Sequence, residues 1–415
     1  MELSKCLRLL LLLAFGLAHI QCTEMPNALG GKPHCKYIEE RGPSEDLIFS
    51  SSDFESKEVL KEKRNKSRVC LPEPCADLVA FSGFISVDHR NSSEENSFLF
   101  FLYIKSKVDS HKKPLILWLQ GGPGKSSLFG EFLENGPLGI NASGHLYYRS
   151  HTLLNYGDIL YLDQPVGSGY SFNRKGKYNG TLYEASTHIL RFLRRFATIF
   201  PGNEGKDLFI AGESYGARSA IGAASNILKK KPETVPFHLK GVMLGVGFLF
   251  PLLNIIDSTD YLYYTGLLDE EGKTEFTKRF YIIRLLVEKE KNYTAAAYLL
   301  SQTVLNLRMP GQKSLFEMLS GFKHHGSIIM PQRNKETYAY YGYANSSEFK
   351  KIIHVSASRT LDGTRPLIAA ALAVEDFFVD HKQTLLHVLN NRHVLLYTAQ
   401  LDDVFPAVNI MKEFR

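Results

Sequence analysis

The sequence predicts an α/β fold, with a central mostly parallel sheet and a helical cap inserted before the last strand. Three observations carry this reading. Short apolar runs, FLFFLYIK (98–105), PLILWL (114–119), DILYLD (158–163) and DLFIAG (207–212), are bounded by Gly, Pro or Asp, as strands buried on both faces of a parallel sheet are. Segments with apolar residues at helical spacing alternate with these runs. The 415 residues, 44% hydrophobic and 12% aromatic, also carry enough apolar side chain for a large core.

Taken in order, the chain opens with Lys5 and Arg8 followed by LLLLLAFGLA, an apolar run too short for a membrane span and suited to a secretory leader over residues 1–22. Sequons at Asn65, Asn91, Asn141, Asn179, Asn292 and Asn345 agree with passage through the secretory pathway, to the extracellular space or the lysosome. Residues 23–80 are polar, charged and broken by Pro and Gly, and are expected to be irregular. They hold Cys35, Cys70 and Cys75, three thiols that cannot all pair with one another. Residues 81–247 read as the first part of the α/β core, with helices over Leu182–Phe200 and Gly216–Lys231 and a strand at 239–247. Residues 248–345 carry helical patterns without a clear buried strand and read as the cap. Residues 346–415 return to the core, with buried-strand texture in HVLLYTAQLDD (393–403). The formal charge of +6 is small and well mixed, and Lys229–Lys231 beside Pro232 reads as a solvated helix end, so nucleic acid is excluded as a partner. No later run is long enough to cross a bilayer.

The chemistry concentrates in Gly212-Glu213-Ser214-Tyr215-Gly216, which follows one strand and opens a small-residue helix. G-x-S-x-G at a strand-to-helix junction is a nucleophile elbow, with glycines that permit the sharp turn projecting the serine hydroxyl. A second segment, WLQGGPGKSSLFGEFLENGP (118–137), follows the strand at 114–119, where a hydrolase of this kind places backbone N–H donors for a developing oxyanion. Gly122 and the amide of Tyr215 are the candidate donors.

With GDILYLDQPVGSGYSF (157–172), FSGFISV (81–87) and YTAQLDD (397–403), these segments resemble the serine carboxypeptidase family on the α/β-hydrolase fold, and Gln120 aligns the chain with its vitellogenic-like branch. The resemblance implies Ser214 as nucleophile, Asp402 as triad acid, Gly122 and Tyr215 as oxyanion hole, and Gln120, Glu134 and Glu213 as the group that holds a substrate's C-terminal carboxylate. A carboxyl group hydrogen-bonds a carboxylate only when one of them is protonated, so such recognition works best in acid. The resemblance implies peptide or protein C-termini as partners, allows a homodimer, and calls for no cofactor and no metal.

One member of the set is absent. The resemblance places the catalytic histidine several tens of residues past Asp402, yet the segment DVFPAVNIMKEFR that follows holds none. His354, His381, His387 and His393 fall at surface-like or pre-strand positions, and His324 and His325 in the cap. Without its base a triad enzyme loses about a millionfold in kcat, so this form is expected to have almost no peptidase activity. Lys125 stands where the family has Cys or Gly, Gly245-Val246-Gly247 replaces Gly-Asn-Gly, and Thr398-Ala399 replaces Asn-Gly. The other reading is a secreted, non-catalytic protein that holds peptide C-termini. A lipase or esterase would leave Glu134 and Glu213 without a purpose.

Overall fold

Every apolar run forms a strand in the computed structural model, which describes residues 45–89, 94–107, 113–178, 180–231, 234–304 and 312–414. Besides a small antiparallel pair, Leu138–Ile140 with Leu146–Tyr148, the strands in chain order are β1 (Ile48–Phe49), β2 (Arg68–Val69), β3 (Val79–Ser86), β4 (Ser97–Lys105), β5 (Leu115–Leu119), β6 (Asp158–Leu162), β7 (Phe172–Asn173), β8 (Asp207–Glu213), β9 (His238–Gly245) and β10 (His393–Tyr397). They form one sheet in the order β1-β3-β4-β6-β5-β8-β9-β10, with β2 on β3 and β7 on β4. From β6 to β10 all neighbours are parallel, while β4 runs antiparallel to both β3 and β6. The predicted mostly parallel sheet is therefore present.

Both faces of its centre are covered, because successive side chains point to opposite sides. On β4, Leu99, Phe101 and Tyr103 pack with Phe192, Phe196 and Phe200. Phe98, Phe100, Leu102 and Ile104 pack on the other face, in one cluster with Ile116, Trp118 and Tyr161. Burying each such ring is worth about 1.5–3 kcal/mol, so this double layer supplies much of the drive to fold.

The helices are α1 (Lys57–Lys66), α2 (Leu182–Ile199), α3 (Tyr215–Leu228), α4 (Glu270–Glu288), α5 (Tyr293–Thr303), α6 (Lys335–Ala344), α7 (Arg365–Glu375) and α8 (Lys382–Leu389), with shorter turns of helix between them. Thr181 and Glu184 form a capping box at the start of α2, which ends just before Pro201-Gly202. Among the described residues no strand lies between β9 and β10, and helices continue past 345 to Leu389. Tyr37–Arg415 is one compact unit, so the helical span is not a detached domain.

Two expectations need correction. The segment 23–80 is not irregular throughout: KEVLKEKRNK forms α1, capped by Ser56, whose hydroxyl accepts from Val59 N at 3.3 Å. Only Leu60 of that helix is buried, so it lacks the apolar stripe by which helices are recognised. The strand β10 is not buried on both faces; it is the last strand in the sheet, and Leu395 and Tyr397 are 46% and 45% exposed. The leader 1–22, Cys35, Asn91 and Asn179 lie outside the described residues. Cys70 is disulfide-bonded, whereas Cys75 is a buried free thiol.

A buried ion pair ties the helices together behind the sheet edge. The Arg218 guanidinium of α3 donates to Asp376 Oδ2 at 3.0 Å and to Phe248 O at 3.0 Å, and lies 4.1 Å from the Phe248 ring centre. Asp376, at the C-terminal end of α7, also accepts from Tyr215 Oη at 2.7 Å, His381 Nε2 at 2.9 Å and Leu182 N at 3.3 Å. Burial alone would raise its pKa, but the hydrogen bond from His381 and the charge of Arg218 hold it down at about 2. Its contribution to stability is therefore present above the ordinary aspartate range and is lost as pH falls toward that lowered value. Arg218→Met strands the Asp376 charge and is expected to cost about 3–5 kcal/mol in urea unfolding. A loss below about 1 kcal/mol, the level of an exposed pair, would show that Asp376 is not the joint inferred here.

Candidate active site

Parallel pairing brings the ends of several strands level. Leu119 of β5 pairs with Gly212, Glu213 of β8 pairs with Gly245, and Gly245 of β9 pairs with Tyr397 of β10. The segments leaving them, which contain Gln120, Ser214 and Asp402, emerge at the carboxyl edge of the sheet, where α/β folds place their ligands.

Ser214 lies between β8 and α3 with φ 54° and ψ −122°, a strained conformation for a residue with a side chain. Its amide donates to Gly245 O at 2.9 Å and its carbonyl accepts from Phe248 N at 3.1 Å, so neighbouring backbone fixes the turn. A Cβ on Gly212 would strike Gly216 O, and one on Gly216 would strike Leu119 O. Both flanking glycines are thus demanded by close backbone approach. Ser214 is half-buried, and its hydroxyl has no hydrogen-bond partner among the described residues.

The loop after β5 presses on this turn. A Cβ at Gly121 would lie 2.8 Å from Ser214 Cβ and 3.0 Å from Tyr215 N, and Gly122 follows with φ +125°. The Tyr215 amide begins α3, where helical N–H groups lack intrahelical acceptors. Buried Asp163 holds the far side of the loop, accepting from Ser126 Oγ and Ser127 N at 2.7 Å each and from Tyr170 N at 2.8 Å. Ser127 Oγ in turn accepts from Gln120 N at 3.0 Å and donates to Leu162 O at 2.7 Å.

Gln120, Glu134 and Glu213 come together. Trp118 Nε1 donates to Gln120 Oε1 at 2.9 Å, which aims the amide nitrogen at Glu213 Oε2 (3.2 Å) and Glu134 Oε1 (3.4 Å). Burial, then the charge of Glu213, raises the Glu134 pKa well above the usual carboxylate value. Glu134 Oε2 is buried and has no donor while both acids are ionised. A single proton shared by the pair removes both the repulsion and the orphaned oxygen.

Asp402 follows β10, and its Oδ1 accepts from Val404 N at 2.8 Å and Phe405 N at 2.9 Å. Burial raises its pKa to about 6 against those two amides, and the Glu213 charge adds to the rise. No histidine hydrogen-bonds Ser214 or Asp402 among the described residues. His325 is buried between Val304 O (2.7 Å) and Asp403 O (2.8 Å), and burial pushes its pKa down to about 4. His324 Nδ1 is buried without a partner. His381 is bound to Asp376, and His387 Nδ1 lies 2.9 Å from Ser225 Oγ. His354, expected near the surface, is buried with Nδ1 2.9 Å from Ser82 Oγ, while His393 opens β10.

Val246 takes φ +37°, in the left-handed region that disfavours a β-branched side chain, at a cost of about 1–3 kcal/mol. The Asn of the resembling pattern tolerates that conformation better. Asn65, Asn141 and Asn292 are exposed, whereas the half-buried Asn345 amide donates to Tyr341 O at 3.0 Å and accepts from Leu361 N at 2.9 Å. Sequence reasoning missed Arg218, Asp376 and Asp163 as supports of the site. An arginine within the small-residue run GARSAIGAAS was the available signal for the first.

Comparison with known proteins agrees with this geometry. A serine carboxypeptidase family model matches residues 72–412. Vitellogenic carboxypeptidase of Aedes aegypti is 30% identical over 347 residues, covering 83% of this chain and 71% of that protein. Venom serine carboxypeptidase of Apis mellifera is 31% identical over 355 residues, covering 83% and 72%. The human probable serine carboxypeptidase CPVL is 28% identical over 369 residues, covering 88% and 75%. Among solved structures, the prohormone-processing carboxypeptidase Kex1 of Saccharomyces cerevisiae superposes with a TM-score of 0.62 at 18% identity, over 84% of this chain and 80% of that one. The fold is that of the α/β-hydrolases, and the chain belongs to the serine carboxypeptidase family.

Proposed function

We propose that this chain recognises the C-terminal residue of peptides, and that Ser214 is the nucleophile placed to release it. The observation that carries the reading is the Gln120–Glu134–Glu213 cluster beside the elbow: two acids and an amide that can hold a terminal carboxylate while the scissile carbonyl lies over Ser214. Attack by Ser214 Oγ on that carbonyl carbon would put negative charge on its oxygen, and the amides of Gly122 and Tyr215 are the donors to receive it. Asp402 is the acid that would orient a general base.

Among the described residues the Ser214 proton has no acceptor, and binding with oxyanion contacts alone leaves about 10³–10⁴ over water. A second reading, a non-catalytic binder of peptide C-termini, uses the same cluster without a base. We further propose passage through the secretory pathway, to the extracellular space or lysosome, with glycans at Asn65, Asn141 and Asn292 and at Asn91 and Asn179. Asn345 is the poorest acceptor, its amide being engaged on both sides.

Three measurements test these readings. A fluorophosphonate probe is expected to leave Ser214 of the 415-residue chain unlabelled; labelling that Ser214→Ala abolishes would restore the catalytic reading. Binding of a peptide with a free C-terminus should be full while the Glu134–Glu213 pair retains its proton and should weaken, by up to about tenfold per pH unit, as pH rises through the raised Glu134 pKa. Glu134→Gln, whose amide donates at any pH, should flatten that profile, and a native profile already flat would sink the shared-proton account. Peptide N-glycosidase treatment of chain secreted from eukaryotic cells should lower its mass, and an unchanged mass would remove the glycan proposal.

A further inference from the structure

Beside the oxyanion loop lie three cations that nothing neutralises through a direct contact. The Lys125 stem passes Gly122, its Cγ only 3.4 Å from where a Gly122 Cβ would be, and its ammonium rests 4.3 Å from the Phe129 ring centre. Arg365 packs on the neighbouring Gly124, where a Cβ would lie 2.9 Å from Arg365 Cγ. Arg365 is also the first residue of α7, so it meets the positive end of that helix. Arg333 and Arg365 are close enough to Lys125 for their charges to act on it, and with burial, the larger effect, they bring its pKa down to about 8.

None of the three side chains makes a hydrogen bond or salt bridge among the described residues, and all are half-buried. Arg365 Nε is fully buried with no acceptor, a costly state for a guanidinium donor. Asp362, whose carboxylate accepts from Ser126 N at 2.7 Å and Tyr341 Oη at 2.8 Å, is one nearby negative charge that acts on Lys125 and Arg365 without a salt bridge to either, so the cations outnumber it. The cluster also reaches the peptide-binding acids electrostatically, since Lys125 acts on both Glu213 and Glu134. Three cations and a buried unfilled donor, next to acids already able to hold a terminal carboxylate, call for a second anion on the same ligand.

We propose that Lys125 and Arg365 form an anion subsite that takes the side-chain carboxylate of Asp or Glu within the last two residues of the bound peptide. This rests on the peptide C-terminus reading above and adds a selectivity for acidic ends. Lys125 is the residue that makes it particular to this chain, because the resembling pattern has Cys or Gly there and could offer no charge.

The test is a binding titration of the native 415-residue chain with matched acetylated peptides, free at the C-terminus, carrying Glu or Gln at the last or the penultimate position. A Glu peptide is expected to bind about tenfold more tightly than its Gln partner at one of the two positions, the size of a charge-assisted contact. Lys125→Met, which keeps the apolar stem over Phe129, and separately Arg365→Gln should bring the two affinities together, weakening the Glu peptide more than the Gln peptide. Should Arg365→Gln fail to fold, Lys125→Met carries the expectation alone. Equal binding of Glu and Gln peptides to the native chain overturns the subsite and leaves the terminal clamp standing. Equal weakening of both peptides by Lys125→Met also overturns it, by assigning the ammonium to the terminal carboxylate. Binding of no peptide overturns the clamp and the subsite together.

Discussion

The site depends on one buried carboxylate. Asp376 receives Arg218, Tyr215, His381 and the first amide of α2, and so joins the start of α2, the first turn of α3, the end of α7 and the approach to α8. A charge taken out of water at this depth survives only because each lone pair is used. Tyr215, whose backbone amide is the proposed oxyanion donor, has its hydroxyl fastened to this hub. The strained turn at Ser214 is thus held from below by an ion pair and from the side by the loop after β5. Strain of that kind persists only where surrounding structure over-determines it.

Electrostatics divides the site into regions of different character. Gln120 is aligned by Trp118 between two acids that repel unless they share a proton, so that region keeps a single negative charge while the pair holds its proton. Asp402 is half-buried with two backbone donors and lies within reach of the Glu213 field. Across the oxyanion loop the sign reverses at Lys125.

Much of this was legible in the sequence because it rests on local rules. Buried runs bounded by turn residues gave the strands, and the five-residue elbow lay at its strand-to-helix junction. Asp402 and the three carboxylate-binding candidates were found through resemblance, and their convergence was not readable from spacing, since 14 and 93 residues separate Gln120 from its two acids. The helix over 57–66 escaped notice because charged residues fill it and only Leu60 reaches the core. The composition of β10 suits a central strand, and only the topology puts it last, with the exposed apolar edge that the family resemblance leads one to expect there. Arg218 and Asp376 are far apart in sequence, and no periodicity joins them.

The close approach of backbone at Gly121, Gly212 and Gly216 has a meaning for how such chains diverge. These positions are forbidden to any larger residue because the strand ends and α3 would be pushed apart, whatever reaction the serine performs. Packing alone would therefore preserve the two glycines of G-x-S-x-G long after selection for turnover had lapsed, since a larger residue at either would also cost the fold. In this architecture an intact elbow testifies to a sound core. Evidence of living chemistry has to be sought in residues that sterics leaves free to change, such as Lys125, Val246 and Thr398.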